Sequence, residues 1–397
     1  MLDAFIEGFF LLFRIDTYFY ICIGLALGMF VGAMPGLTTT LTMAILLPVS
    51  FKLEPMLGIP FLIGIYKGGI YGGSISAILV GIPGTGASIA TTFDGPALTR
   101  KGQGRKALEM ALYASVTGDT LSDIFTLAAI GPIALVILMV GPPEVFAIII
   151  FSLVLIASVS SESGLKGAIA ACIGLGLGLI GTDAATGATR LTFGLEILSA
   201  GIPIIPLVIG IFAVPEVLEA VQSRAPRFID EHIDLSKAGE RLRWPEFKRS
   251  IITILRSTAI GTGIGMVPGV GQVVAAFISY SAAKRASDDP DSYGKGNLDG
   301  IAAPEAANNA VNGPTLVPLL TLGIPGDIVT AIMLGALLIH DVIPSPSFIS
   351  EEPVLAYGIF FAFFLAHFMM VGMQAFCLRI FVLVTRVPMY TLAAVIL

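Results

Sequence analysis

The sequence predicts an all-α polytopic membrane protein built of two inverted-topology repeats, with Pro/Gly-broken helices and re-entrant hairpins. Three observations predict it. The 397 residues are 55% hydrophobic and only 13% charged, about half the ~25% charge of a soluble domain, and the mean hydropathy is +0.92. The apolar runs have the length that a bilayer asks of a helix, about 17–25 residues. Two Pro-Gly motifs recur, in the same order, in the second half of the chain.

A water-soluble globule cannot bury this much apolar surface and still cover itself with polar groups. A net charge of −6 and a pI of about 5.1 exclude a nucleic-acid binder, which needs a basic face. Cys22, Cys172 and Cys377 stand far apart in apolar runs and form neither a metal spacing nor a disulfide framework. No HxxxH or HxH pair occurs, so no metal site is expected. The N-terminus has no basic region ahead of a short apolar core and reads as mature chain rather than a signal peptide. Alternating segments of ~10 residues, the mark of a barrel, are missing.

Spans are predicted near 17–34, 57–80, 121–140, 145–160, 166–182, 197–220, 250–267 and 354–378, within a total of roughly 9–12. Residues 37–50 and 270–284 are shorter apolar pieces after Pro-Gly, and residues 1–13 suit a helix lying along the interface. The glycines at 174, 176, 178 and 181 suggest close helix packing. Residues 222–249, with seven Lys/Arg and the single Trp, divide the chain into a first repeat (1–221), a cytoplasmic linker (222–249) and a second repeat (250–397).

The repeat is explicit. VGAMPGLTTT at 31–40 matches IGMVPGVGQV at 264–273, and LVGIPGTG at 79–86 matches TLGIPGDI at 321–328, at offsets of 233 and 242 residues. Each first motif follows a helix with spaced glycines, Gly24, Gly28 and Gly32 or Gly261, Gly263 and Gly265. Lys and Arg favour the cytoplasmic side, and corresponding loops carry opposite basic character. RKGQGRK (100–106) follows the first GIPG, whereas 340–353, after the second, holds no Lys or Arg. Opposite orientation of two homologous halves accounts for this, with the N-terminus outside and 100–106, 222–249 and 379–387 inside. The first half runs about 70 residues past the point matching Leu397, and the chain stops inside an apolar run. The C-terminus is therefore expected to be truncated, lacking roughly three spans.

Inverted repeats with interrupted helices mark secondary transporters, in which unpaired backbone groups at the midplane bind substrate and coupling ion. The candidate site follows the breaks. Pro35 and Gly36 precede Thr38, Thr39 and Thr40, whose N–H groups and hydroxyls suit an anion. Pro83, Gly84 and Thr85 form the second break of the first half, and Pro268, Gly269, Pro325, Gly326 and Asp327 form those of the second. Upstream of each GIPG the chain is polar for its depth, with Lys67, Ser74 and Ser76 in one half and Asn308, Asn309, Asn312 and Thr315 in the other. Asparagine offers carbonyl oxygen to a sodium ion and N–H to a carboxylate. Lys67 is the best single cation for a carboxylate, or else it pairs with Asp94, Asp119 or Asp123. Asp327 caps a helix and is also a candidate cation ligand.

At these residues the sequence resembles a known family. GAMPGLTTTLTMAILLP, YGGSISAILVGIPGT with FDG, and APEAANNAVNGPTLVPLLTLGIPG are similar to the large permease subunit of the tripartite tricarboxylate transporters over nearly the whole chain. The resemblance implies a bacterial inner-membrane importer of citrate-like tricarboxylates or other carboxylates. It implies a small four-span membrane subunit and a periplasmic solute-binding protein as partners. It also implies Na+ or H+ coupling, no other cofactor and no enzymatic activity, in keeping with the absence of a Walker motif. An elevator-like movement of the GIPG hairpins against the spans at 121–220 is the expected motion. The rival readings are a passive anion channel, a stand-alone carboxylate carrier, and an aspartyl protease using Asp94 and Asp327, whose motif lacks the required glycine.

Overall fold

The structure, a computed structural model, describes residues 2–34, 38–137, 139, 141–159, 164–183, 187–203, 206–207, 210–211, 214–215, 218 and 240–384. The described residues are helical apart from turns and one antiparallel pair of two-residue strands, β1 (Gly181–Thr182) and β2 (Thr189–Arg190). The chain is a multi-pass membrane protein. Ile15–Gly32, Pro55–Leu79 and Pro353–Gln374 are each long and apolar enough to cross a bilayer. The outward side chains of α7 (Pro142–Val159) and α8 (Gly164–Gly178), such as Phe146, Phe151, Leu165 and Ile169, are exposed and apolar, as a lipid-facing surface requires.

The first half opens with α1 (Leu2–Phe10), whose Phe5 and Phe9 pack edge-on against Phe361 of α16 (Pro353–Val384). Then come α2 (Ile15–Gly32), α3 (Thr39–Ser50) and α4 (Pro55–Leu79). Proline at the first position of α4 fixes its start without losing a hydrogen bond. Arg14, just before α2, pairs with Glu54, just after α3, at 3.0 Å. The α2–α3 segment therefore enters and returns to the side it came from.

Glycine sets the spacing of α2 against α4. A Cβ at Gly24, Gly28 or Gly32 would overlap the carbonyl oxygen of Phe61, Ile65 or Gly69. Gly64, Gly68 and Gly72 of α4 lie as close to Ile21, Leu25 and Met29 of α2. Both indices rise together, so the helices run parallel, backbone against backbone. The second half repeats this with α10 (Ile251–Gly265), α11 (Gly271–Arg285) and α12 (Asp299–Ala310). A Cβ at Gly261 would overlap the Ala307 carbonyl, and one at Gly265 would lie 2.7 Å from that of Val311. These are the positions that Gly28·Ile65 and Gly32·Gly69 reach when shifted by the two sequence offsets.

The two sets run in opposite directions. Along α4, Gly58 meets His340, Tyr66 meets Asp327 and Ser74 meets Glu305, so one index rises as the other falls. Between the halves lies α6 (Gly104–Ile137), alongside α12, with Gly118 against Ala306 and Ser122 donating to the Ala310 carbonyl at 2.6 Å. Each GIPG turns on a left-handed glycine, Gly81 at φ +79° and Gly323 at φ +68°. The turn after Gly84 touches α11 through Gly86 and Val273, and α14 (Ile328–Ile339), after Gly326, packs on α3. Each hairpin thus seats on the post-break helix of the other half. The remaining elements are α5 (Gly95–Arg100), α9 (Trp244–Arg249), α13 (Leu316–Leu322) and α15 (Phe348–Glu351).

Several expectations need correction. The span near 121–140 is the second part of α6, a single 34-residue helix with no breaker before Pro132. Helix α8 stops at Gly178, where the chain turns into β1, so it does not reach 182. Residues 196–200 form a 3-10 turn rather than the start of a span. A Cβ at Gly174, Gly176 or Gly178 would meet nothing within 4 Å, so these glycines make no close helix contact among the described residues. Most of 204–239 and the end from 385 lie outside the described residues.

Residues 240–249 are held to α6 by charge. Lys106 Nζ donates to Glu240 at 2.6 Å and to Glu246 at 2.8 Å, and Glu109 accepts from the Leu242 amide at 2.8 Å. The Lys106 hydrogen bond, with that of the Arg243 amide, lowers the Glu246 carboxyl from 4.5 to about 2.

Two outcomes follow. Gly28→Ala should lower thermal stability in detergent by about 1–3 kcal/mol, the cost of overpacking, while Gly174→Ala should leave it unchanged; equal melting temperatures would contradict the packing. A carboxyl with a lowered folded pKa stabilises above its unfolded value and loses that contribution as pH falls through the folded one. The melting-temperature gap between wild type and Glu246→Gln should therefore hold above pH 4.5 and close as pH falls toward about 2.

Candidate functional site

The breaks bring side chains from both halves to one place. Pro35 and Gly36 lie outside the described residues. Thr38 caps α3, accepting from the Leu41 amide at 3.2 Å, and its carbonyl accepts from Thr42. Thr39 is buried over Gly69, and its hydroxyl has no partner among the described residues. Thr40, the next residue of α3, is half-buried. Gly84 lies on the Gly32 carbonyl at the end of α2 and donates its amide to the Gly73 carbonyl at 3.3 Å. Thr85 packs on Gly73 and forms a capping box with Ser88. Pro83 is half-buried, and Ser76 donates to the Gly73 carbonyl at 3.1 Å.

In the second half, Pro268 and Gly269 are half-buried at the start of α11, with Gly269 at φ +78°. Pro325 and Gly326 turn the chain over Thr315, whose buried hydroxyl has no partner among the described residues. Asp327 caps α14, accepting from the Thr330 amide at 2.8 Å. One chain of hydrogen bonds joins these parts. Gln272 Nε2 donates to Asn312 Oδ1 at 2.8 Å and to the Tyr66 hydroxyl at 2.7 Å, and Tyr66 donates to Asp327 Oδ2 at 2.6 Å. It ties the end of α12, the start of α11, the middle of α4 and the start of α14.

A second group surrounds Glu305, which is fully buried. Its carboxylate accepts from Ser74 at 2.7 and 2.8 Å, Thr91 at 2.5 Å and Ser115 at 3.3 Å. It forms no ion pair among the described residues. Asn309 Nδ2 donates to Ser115 Oγ at 2.9 Å and Asn308 Oδ1 at 2.6 Å. Hydroxyls and amides thus stand in for the water that a buried carboxylate has lost.

A third group holds Lys67. Its Nζ lies 2.6 Å from Asp119 Oδ2, 3.4 Å from Asp123 Oδ2 and 4.9 Å from the centre of the Phe363 ring. His367 Nδ1 lies 3.7 and 3.6 Å from the same two oxygens, and its Nε2 lies 3.0 Å from Thr120 Oγ1. Lys67 therefore pairs with Asp119 and Asp123, and not with Asp94. Asp119, Asp123 and His367 offer three metal-ligating atoms within 4.8 Å of one another, but the Lys67 ammonium already fills the place of a cation between them. Asp94 makes no cap to α5. Its Oδ1 accepts from the amides of Gly294, Gly296 and Asn297 at 2.9, 2.8 and 2.7 Å, and its Oδ2 accepts from Tyr280 at 2.9 Å. It shares no partner with Asp327, as a catalytic dyad would require.

Sequence reasoning did not single out Gln272, Ser115, Thr91 or His367. Gln272 was detectable as a polar residue within an apolar segment next to a break. Ser115 and Thr91 carry no such signal, because a lone hydroxyl in a helix usually bonds to its own carbonyls.

Removing one partner of a buried ion pair leaves an uncompensated charge and costs about 3–5 kcal/mol. Lys67→Met should destabilise the protein by that order, and adding Asp119→Asn should restore most of the loss. A double variant no more stable than Lys67→Met, by thermal unfolding in detergent, would contradict the pairing.

The sequence of residues 18–397 matches the family described as the tripartite tricarboxylate transporter TctA family. The chain is 35% identical over 370 residues, 92% of its length and 72% of the relative's, to a protein of Agrobacterium vitis described as an uncharacterized 52.8 kDa protein in the TAR-I ttuC' 3' region. It is 36% identical over 128 residues, 32% of its length and 53% of the relative's, to an uncharacterized protein in the TAR-II ttuC' 3' region of the same organism. No solved structure matches. With the family matched from residue 18 to the last residue, and with the multi-pass helical fold described above, the chain belongs to the tripartite tricarboxylate transporter TctA family.

Proposed function

We propose that the chain is the permease of a cation-coupled carboxylate importer working by alternating access. The observation that carries this reading is one hydrogen-bonded network across two oppositely directed halves, in which Tyr66 of α4 joins Gln272, Asn312 and Asp327, all beside breaks of the second half. Interrupted helices at a repeat interface are where secondary transporters bind their cargo. Residues 1–221 and 250–397 are the two repeats, and 222–249 is a cytoplasmic linker. The protein sits in the bacterial inner membrane with its N-terminus periplasmic. A periplasmic solute-binding protein delivers the substrate, and a small four-span subunit completes the membrane complex.

The carboxylate binds at the four breaks. Backbone amides at the starts of α3 and α14 and after Gly84 supply donors, and the hydroxyls of Thr39 and Thr315 supply two more that no other described residue uses. Asn308 and Asn312 offer further amide groups. Lys67, engaged by two aspartates, acts on the site through them rather than by touching the substrate. The two GIPG hairpins are the moving parts, since each is anchored on the other half.

The test is uptake of labelled citrate and succinate into vesicles carrying the permease with its small subunit, with and without the binding protein and an imposed sodium or proton gradient. Accumulation should need both. Thr39→Val and Thr315→Val should each cut uptake about tenfold, the ~1.4 kcal/mol of one hydrogen bond to substrate, with melting temperature unchanged. Equilibration without gradient or binding protein would mean a channel or a stand-alone carrier instead.

A further inference from the structure

The Lys67 cluster holds one more carboxylate than it has cations. Lys67 carries one positive charge and Asp119 and Asp123 carry two negative charges when ionised, and none of the three side chains is more than 2% exposed. A charge at such depth with neither an ion pair nor donors to replace its lost water is neutralised instead. The two aspartates are not equivalent. Asp119 takes the short contact to Lys67, 2.6 Å against 3.4 Å. The Oδ1 of Asp123 has no donor among the described residues and points at the backbone of Gly313, where a Cβ would overlap it.

We propose that Asp123 is a proton-binding site and that the coupling cation of this permease is a proton. A metal ion bound by the two aspartates would sit against the Lys67 ammonium, whereas one proton on Asp123 brings the cluster to neutrality without displacing anything. The titratable and charged groups that face Asp123 are Lys67 from α4, His367 from α16 and Asp119 on α6 itself, while α12 and α13 meet it at Gly313. Gly313 lies in the bend between α12 and α13. Asn312, one residue before it, accepts from Gln272, and Thr315, two residues after it, lies under Gly326. The proton on Asp123 therefore faces the turn that shapes one side of the candidate site. Deprotonation places a charge on that turn, and the charge favours a conformation in which Asp123 meets water.

The location of the proton stands on the charge count and the geometry alone; its role as coupling ion rests on the symport reading above. The test has two arms. Infrared difference spectra of the purified permease in lipid, taken across a pH titration, should show the C=O stretch of a protonated carboxylic acid. Asp123→Asn should remove it. Lys67→Gln/Asp119→Asn, which keeps an excess of one carboxylate, should retain it, and exchanging potassium for sodium should not alter it. A band that survives Asp123→Asn, is lost only in His367→Gln, or is suppressed by sodium would overturn the assignment. In the second arm, Asp123→Asn in vesicles should exchange citrate across the membrane but lose accumulation driven by a proton gradient. Accumulation by the wild type under a sodium gradient alone would overturn the proton coupling and leave the symport reading intact. No exchange of citrate or succinate by the wild type would remove the symport reading and with it the coupling role, while the infrared arm still decides the proton site.

Discussion

Lipid offers no hydrogen-bond partner, so a helix that breaks at bilayer depth must have its freed backbone groups sealed by the rest of the chain. That constraint organises this protein. Each break ends a helix on glycine, and the ends are closed by backbone and small side chains from close by. Gly84 lies on the end of α2, Thr85 on Gly73 and Gly326 on Thr315. Such contacts exist only because α2 and α4, and again α10 and α12, approach to backbone distance along glycine faces. Bulkier residues there would separate the helices and leave the breaks open.

Charge follows the same rule. Lys67, Asp119, Asp123, Glu305 and Asp327 all lie in the part of the molecule where the halves meet, and three different devices answer all of them but Asp123. Lys67 and Asp119 are answered by each other at 2.6 Å. Glu305 is answered by three hydroxyls, and Asp327 by a helix N-terminus and the Tyr66 hydroxyl. None of these arrangements makes a strong case for stability, because desolvation offsets most of what an ion pair gains. Their concentration along one interface is what the proposed transport path builds on, since ionisable residues at membrane depth are candidates for ion and substrate paths.

Much of this was legible in the residues. The spaced glycines Gly24, Gly28 and Gly32 and Gly261, Gly263 and Gly265 stood out as part of the repeat, and the two GIPG motifs located the turns. The capping role of Asp327 followed from its position after Pro-Gly. Partners far away in sequence were not legible. Three aspartates were equally good mates for Lys67, and only the packing of α6 beside α4 decides for Asp119 and Asp123. Asp94 sits just before α5 without capping it and reaches across the molecule to the 294–297 turn, where the amides of Gly294, Gly296 and Asn297 all point at its Oδ1. Gly174, Gly176 and Gly178 show the converse error: a glycine stripe permits close packing without requiring a neighbour.

The central claim is that two like-folded halves cross the membrane in opposite directions. Labelling single cysteines with a membrane-impermeant thiol reagent tests it most directly, in a chain whose Cys22, Cys172 and Cys377 have been changed to alanine. The structure joins Lys101 to Lys295 and brings Gly58, at the start of α4, to His340. Cysteines at Gly102 and Lys295 should therefore label from one side of the membrane, and cysteines at Lys52 and Asp341 from the other. Labelling of all four from one side, or of Lys295 together with Lys52, would contradict the inverted arrangement.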